Sequence, residues 1–600
     1  MKVKVAKYIS EFLIQNGIKD CFMVTGGGAM HLNDALGHQE GLHCIFNHHE
    51  QGCAIAAEGY ARMSGQLAAV CVTSGPGGTN ALTGVLGGWL DSIPMFILSG
   101  QVKKETTIWS CPELGLRQLG DQEFDIVHSV ANMTKYCVML TNPVETAYHL
   151  EKALYLALHG RKGPVWIDIP LDVQGATIET EDLLHFAPSS EFFWHIPTVK
   201  NSLAQDILSR IKQAKAPLIL AGTGIRLGNA ENEFLQLVEK LQIPVVTAWN
   251  ANDALAFDNP YFCGMPGTVG TRPGNFAVQN CDLLLSLGCR LNIRMIGYNH
   301  YNFAQNAFKI IVDIDSRELA KPTIIPDLPV HADVKDLMQA LICEDYNPQE
   351  THVPWVDWCK NLLSRFPSVC ANYHQQKEQE INPYVFIDML FGKLTKEERI
   401  ICGNGSACVI TFQACKIKQG QRMFTNSGCA AMGYGLPAAL GVAVSDNSKR
   451  TICIDGDGSI MMNLQELATI AHNQLNIKIF IINNNGYLSI RQTQTNLFKP
   501  PFVGLDSESG VGFPDFRKLA DAFGLRYFII SNEAKCNQQL DSVLHSEGPC
   551  ICEVVVDPTQ NFAPKSSSKV LPDGKIVSPS LDDMSPFLER DVYNTIHYPE

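Results

Sequence analysis

The sequence has no long uninterrupted apolar run. Nothing approaches the roughly 18 residues a helix needs to cross a bilayer, so no membrane span is expected. Nor is there an excess of positive charge: the formal net charge is −14 at pH 7, which makes nucleic acid and anionic membrane poor partners. Low-complexity tracts and short repeats of solenoid period are missing too, which leaves ordinary packed domains. There are 20 cysteines, yet no CxxC pair and no histidine partners at zinc spacing, so neither a zinc site nor a redox motif is expected. Those lying in apolar strands (Cys71, Cys289, Cys453, Cys552) read as buried, reduced thiols. The opening MKVKVAKYISEFLIQNG has the pattern of an amphipathic helix, not of a signal peptide, and a cytoplasmic protein is expected.

A chain of 600 residues is too long for one core, so three domains are expected. Apolar strands alternating with helices recur throughout, as in CFMVTGGGAMHLNDAL, LAAVCVTSGPGGTNALTG and PMFILSGQ. Runs of that kind indicate an α/β fold of doubly wound parallel sheets with both faces covered. GPVWIDIP closes the first domain (1–180), and a polar linker follows. APLILAGTG, IPVVTAW, DLLLSLG and KIIVDID mark a central, Rossmann-like domain (195–345). A charged, aromatic connector leads to the third domain (380–560). The tail (561–600), rich in Ser and Pro, lacks helical periodicity and is expected to lie over a surface or an active-site mouth.

The densest chemistry lies in TICIDGDGSIMMNLQELATIAHNQLNIKIFIINNNG, from Thr451 to Gly486. It reads as one βαβ unit with oxygen ligands at both strand ends. A right-handed crossover sets the carboxyl ends of two parallel strands side by side, so Asp457 and Asn484 can meet. A carboxylate and an amide carbonyl suit Mg²⁺. Gly456 and Gly458 let the backbone approach a diphosphate, and the amides opening a helix at Ser459 would face it. The pattern GDG, spacer, NN resembles the thiamine-diphosphate enzymes. With HEQG, AAEGYAR, TSGPGGTN, SGQV and LPAALG, the likeness narrows to acetolactate synthases and their pyruvate-processing relatives, and it spans nearly the whole chain.

That resemblance implies a pyrimidine-binding, a central and a diphosphate-binding domain, with thiamine diphosphate and Mg²⁺ as cofactors. Asp457, Asn484 and the Gly486 carbonyl would hold the metal. Glu50 would hydrogen-bond the aminopyrimidine, since a carboxyl buried there can share a proton with a ring nitrogen. Gly403, Asn404, Gly405 and Ser406 would wrap the diphosphate, Met432 would bend the cofactor, and the Ala430 carbonyl would accept from its amino group. Pro76 and Asn80 would help shape the pyrimidine pocket; the Gly75–Gly77 turn lacks the G-x-G-x-x-G spacing of a nucleotide loop. Tyr487 is placed with the cofactor. Gly27, Ala29 and Gln101 would line the substrate channel, whereas His48 and His49 read chiefly as structural. Arg294 would face a substrate carboxylate, as a guanidinium can with two parallel hydrogen bonds. An FAD would lie against residues 264–268 (GMPGT), Gly288, Arg290 and Asp313 to Asp315, although Pro266 stands where the synthases usually have histidine. A homodimer or homotetramer is implied, with Glu50 of one subunit facing Asp457 of another.

The resemblance breaks after the metal strand. Here the chain reads NNNGYLSIRQTQTNLF, and Thr493 replaces the tryptophan that selects the acceptor in those synthases. More room, a hydroxyl, and the neighbouring Arg491, Gln492 and Gln494 point to a larger carbonyl acceptor such as a keto sugar. The donor would be pyruvate or a similar 2-keto acid. The alternatives are a true acetolactate synthase using a second pyruvate, a 2-keto acid decarboxylase or oxidase, and a non-catalytic cofactor-binding subunit; the last has no need of Glu50.

Overall fold

The computed structural model describes residues 1–190, 195–374, 379–570, 574 and 576–599. Parts of the expected linker (191–194), connector (375–378) and tail (571–573, 575 and 600) lie outside the described residues.

Continuous apolar strands become the middles of three parallel sheets. The first has six strands in the order His43–Phe46, Asp20–Met23, Ala69–Val72, Met95–Gln101, Pro164–Pro170, Tyr136–Met139. Met95–Gln101 and Pro164–Pro170 are buried along their whole length, as unbroken apolar runs covered on both faces require. The central sheet runs Val245–Thr247, Pro217–Ala221, Leu283–Leu287, Phe308–Asp313, Leu328–His331. The third runs Arg422–Phe424, Arg399–Cys402, Thr451–Gly456, Ile477–Asn483, Cys550–Val555, Arg526–Ile530. Every pairing within these three sheets is parallel.

In each sheet the strand order turns back after the second strand given, and such a switch point is where an open parallel sheet leaves a crevice at its carboxyl edge; the two six-stranded sheets turn back again at their last pair. In the first sheet the crevice lies between Asp20–Met23 and Ala69–Val72. In the central sheet it lies between Pro217–Ala221 and Leu283–Leu287, and in the third between Arg399–Cys402 and Thr451–Gly456. A Gly-containing turn leaves both strands at all three points. The sequence motifs thus fall on the three places the topology makes fit for ligands.

The helix Glu50–Ser64 ties the first domain to the third by crossing the helix Gly435–Ser445 at backbone contact. A Cβ on Gly59 would lie 2.6 Å from the Ala438 carbonyl oxygen, and one on Gly441 would lie 1.9 Å from that of Ala56. Only glycine fits at either position. Glu466, fully buried, fastens the same contact: it accepts from Asn47 Nδ2 at 2.8 Å and from the His48 amide at 3.2 Å.

Outside the sheets, Lys2–Lys4 forms a strand antiparallel to Thr177–Glu179, so the expected linker is anchored at its start. The amphipathic helix follows at Val5–Gln15. In the connector, the helix Val353–Arg365 buries Trp355, whose indole donates to the Pro217 carbonyl at 2.9 Å. Among its described residues the tail carries one short helix, Arg590–Asn594, and buries Leu581, Met584 and Ile596. All the cysteines are free thiols.

Candidate functional site

At the switch point of the third sheet, Asp457 follows the strand end and is 2 % exposed. Its carboxylate accepts from the amides of Gly458 and Gly486, both at 2.8 Å. Burial pushes this carboxyl up to about 6, and backbone amides, including that of Asn484, pull the other way. Asn484 donates through Nδ2 to Ser406 Oγ at 2.7 Å. That bond leaves Oδ1 buried with no hydrogen-bond partner. Buried amide oxygens without a partner are rare, and beside a carboxylate that forms no salt bridge among the described residues the orphan fits a hard divalent cation. Gly486 has φ +122, and a Cβ there would meet the Leu505 carbonyl oxygen at 2.0 Å. No other residue could turn the chain so tightly beside Asp457. Among the described residues no three His, Cys, Asp or Glu side chains cluster as a metal site, so such an ion would need further oxygens from its ligand.

The turn Gly403–Gly405 leaves the adjacent strand, and Ser406 opens the helix Ser406–Ala414. Its unpaired amides and dipole favour an anion. A Cβ on Gly403 would lie 1.9 Å from Asp455 Oδ1. Asp455 is fully buried beneath this turn, and burial pushes it up to about 7. The structure departs from the expected helix at Ser459: residues Ile460–Asn463 form a 3₁₀ turn, and the α-helix begins at Glu466. The cause is the loop at Gly433, whose amide donates to Ser459 Oγ at 3.0 Å and whose carbonyl accepts from Asn463 Nδ2 at 2.8 Å. Met432 is half-buried next to this loop. The Ala430 carbonyl accepts from Asn404 Nδ2. Tyr487 lies over Gly458, where a Cβ would come within 2.2 Å of its ring.

The first domain holds the other half of the expected site. Glu50 is the first residue of its helix and buried. Asn80, on the helix Pro76–Asp91, donates to Glu50 Oε2 at 2.9 Å, so two of the residues expected at the cofactor meet. Pro76 and Gly27 are exposed nearby on the turns of the first sheet's switch point, where the Gly28 amide donates to Thr73 Oγ1 at 3.1 Å. Ala29 is buried. His49 caps the Glu50 helix, its Nδ1 accepting from the Gln51 amide at 3.0 Å, which is the structural role. Gln101 is 1 % exposed. Its amide is spent on Asp168 at 3.0 Å and on the carbonyl of Phe124 at 2.8 Å, and its Oε1 accepts from the Val102 amide.

A cavity of about 1220 Å³ connects the domains. It runs from the mouth of the central sheet (Gly224, Gly288, Asp313) past Arg294 to Gly403, Asn404 and Gly405. That exceeds the roughly 300–1,000 Å³ of an ordinary small-molecule pocket. Its central end fits a nucleotide: Gly288, at φ +57, lies against Gly224, Arg290 lines the wall, and burial pushes the strand-end Asp313 up to about 6. Asp315 does not share that role, since Arg161 and Arg317 occupy its carboxylate. Pro266 lines the cavity without a side-chain donor. Gly27, Glu50, Pro76, Asn80 and Gln101 do not line it, nor do Asp457 and Asn484.

Of the four residues expected at the acceptor end, Thr493 and Gln492 line the cavity, while Arg491 and Gln494 do not. Arg491 donates to the carbonyls of Asn484 and Asn485, and Gln494 exchanges two hydrogen bonds with Val503, so both hold backbone in place. The Thr493 hydroxyl donates to the Ser489 carbonyl at 3.0 Å within its own helix. Lys565 also lines this end. No reading of the sequence singled it out, because the tail has no periodicity to mark an inward face.

Three domain models match in the order the sheets require. They are the N-terminal thiamine pyrophosphate (TPP) binding domain over residues 3–128, the thiamine pyrophosphate enzyme central domain over 204–341, and the C-terminal TPP binding domain over 403–554. The chain belongs to the thiamine pyrophosphate enzymes. Within that family it is 32% identical to the acetolactate synthase isozyme 1 large subunit of Escherichia coli K12, over 93% of this chain and 95% of that one. It is 30% identical to the acetolactate synthase large subunit of Lactococcus lactis, covering 93% of each chain. The probable acetolactate synthase large subunit of Methanocaldococcus jannaschii is 32% identical, again over 93% of each. No described helix is long and apolar enough to cross a membrane.

Proposed function

We propose that this thiamine pyrophosphate enzyme is a decarboxylating carboligase, which takes a two-carbon unit from pyruvate or a similar 2-keto acid and joins it to a carbonyl acceptor. The observation that carries the reading is the unpartnered, buried Asn484 Oδ1 beside the Asp457 carboxylate, at the switch point where two Gly turns leave the sheet. Asp457, Asn484 and the Gly486 carbonyl would hold Mg²⁺, and Gly403 to Ser406 would hold the diphosphate. Bound thiamine diphosphate supplies the electron sink for decarboxylation of a 2-keto acid. Glu50, oriented by Asn80, holds or shares a proton with the pyrimidine ring. Arg294, exposed in the cavity and without a salt-bridge partner among the described residues, is suited to a substrate carboxylate. Gly224, Gly288, Arg290 and Asp313 would hold a flavin nucleotide, to which no step is assigned.

Because the cavity beside the diphosphate turn has no lining from Glu50 or Asn80, we infer that a second copy supplies them in a two-fold dimer or a dimer of dimers. The acceptor would be bulkier than pyruvate, a keto sugar for instance, since Thr493 leaves room at the cavity wall. A second reading, acetolactate formation from two pyruvates, is favoured by the 30–32% identity to acetolactate synthase large subunits.

Mass spectrometry of products from labelled pyruvate with a panel of carbonyl acceptors tests the reading. A two-carbon adduct of a larger acceptor is expected. Acetolactate as sole product, with no competition from keto sugars, would establish the second reading. Aldehyde alone would overturn both.

A further inference from the structure

The acceptor end of the cavity holds a cation with no anion to meet it. Lys565 is half-buried, and its Nζ donates to Gln492 Oε1 at 3.3 Å. Among the described residues no carboxylate lies within the 4.0 Å of a salt bridge. The acidic residues of the cavity wall are Asp91, Asp313, Glu318 and Asp333, all on the first and central domains. Asp91 is paired with Arg62 and Glu318 with Arg161 and Lys321. Burial pulls the Lys565 ammonium below its ordinary pKa, and a bound anion would offset that desolvation.

Gln492 is 4 % exposed and lines the same wall. With the ammonium on Oε1 its orientation is set, because the flipped amide would place donor against donor. Its Nε2 is then left buried and without a hydrogen-bond partner. An unspent donor beside an unpaired cation suits an oxyanion.

The segment carrying Lys565 is pinned. Its amide and carbonyl bond Ser585 at 2.9 and 2.8 Å, and Pro564 accepts from the buried Gln413 at 2.6 Å. The Ser566 amide donates to the Thr268 carbonyl at 2.6 Å, and the Thr268 amide to the Arg294 carbonyl at 2.8 Å. Those bonds bring Lys565 and Arg294, two cations without salt-bridge partners among the described residues, to one end of the cavity. If Arg294 holds the donor's carboxylate, Lys565 remains for a second negative group.

We propose that Lys565, oriented by Gln492, forms a subsite for an oxyanion carried by the carbonyl acceptor, a phosphate ester or a carboxylate. This rests on the carboligase reading, and it makes the tail a determinant of acceptor choice.

The test uses the full-length, cofactor-loaded enzyme with labelled pyruvate and two matched acceptor pairs: a keto sugar with and without a phosphate ester, and 2-ketobutyrate against butanone. The charged member of one pair should be preferred by about tenfold or more in kcat/KM, the scale of one charge-assisted hydrogen bond, and the pair that discriminates identifies the oxyanion. Lys565→Met should raise the KM for that acceptor by about tenfold while kcat moves less than about threefold, and Lys565→Arg should restore it. Inorganic phosphate, titrated calorimetrically, should bind wild type and not Lys565→Met if phosphate is the oxyanion; acetate serves the same purpose for carboxylate. Equal use of both members in both pairs, or discrimination that survives Lys565→Met, overturns the subsite. Release of CO₂ from pyruvate by wild type without acceptor is read separately. Its absence would sink the carboligase reading, and the anion titrations still decide the subsite.

Discussion

Gly441→Ala asks how closely the helix that begins at Glu50 must be held. The new Cβ would lie 1.9 Å from the Ala56 carbonyl oxygen, 2.6 Å from its carbon and 2.9 Å from its Cα. All three are backbone atoms in the middle of a helix, so no side chain can swing aside. Ordinary contact begins at 3.4 Å, and the crossing must therefore open by about 1.5 Å or tilt by an equivalent amount. Overpacking of this kind costs about 1–3 kcal/mol. The functional cost should be larger: Glu50 begins the displaced helix, and a misplacement of about 1 Å in a reacting group can cost on the order of 10²-fold in rate. Thermal unfolding and steady-state turnover of the loaded enzyme measure the two effects. Gly392→Ala is the control, since nothing lies within 4 Å of its Cβ in the last turn of the helix Pro383–Lys393. It should stabilise by about 0.4–1 kcal/mol and leave turnover alone. A Gly441→Ala protein with wild-type unfolding and wild-type turnover would refute the reasoning.

Three further outcomes are expected. Glu50→Gln should lower turnover by about 10²-fold or more and stop exchange of the cofactor's C2 proton, followed by NMR, with metal binding retained; wild-type exchange would remove Glu50 from its role. Mixing inactive Glu50→Gln with inactive Asp457→Ala subunits should recover part of the activity if sites are shared between copies, and no recovery after verified subunit exchange would count against it. Asp168→Asn should flatten the dependence of stability on pH. Burial pushes Asp168, which accepts from Ser99 at 2.5 Å, from 3.8 up to about 7. The native state thus keeps a proton that the unfolded chain has already lost. Stability falls as pH rises from about 4 to 7, by at most about 4 kcal/mol, and the amide cannot contribute that slope. Unfolding midpoints at pH 5 and pH 8 check it; an unchanged difference between them would clear Asp168 of the effect.

The sequence by itself determined what short-range geometry determines. Unbroken apolar runs announced buried parallel strands, and Gly-Asp-Gly after such a run placed Asp457 at a strand's carboxyl edge. The crossover length brought Asn484 beside it. Glu50 was legible because the residues around it form a recognisable stretch of one helix. The tertiary structure alone decided which polar atoms are left over. Arg491, Gln494 and Asp315 looked like ligand groups by type and position, yet each is spent on a neighbouring backbone or ion pair. Gln101 is turned inward by Asp168, a partner on another strand. Glu466 meets Asn47 across 419 positions of chain, and Gly441 meets Ala56 across two domains. Lys565 comes from a tail with no periodicity to show which face turns inward. Hydrogen-bond capacity is used up by whatever packs nearest, and what packs nearest depends on segments hundreds of residues apart, so a list of candidate residues can be read along the chain while their availability cannot.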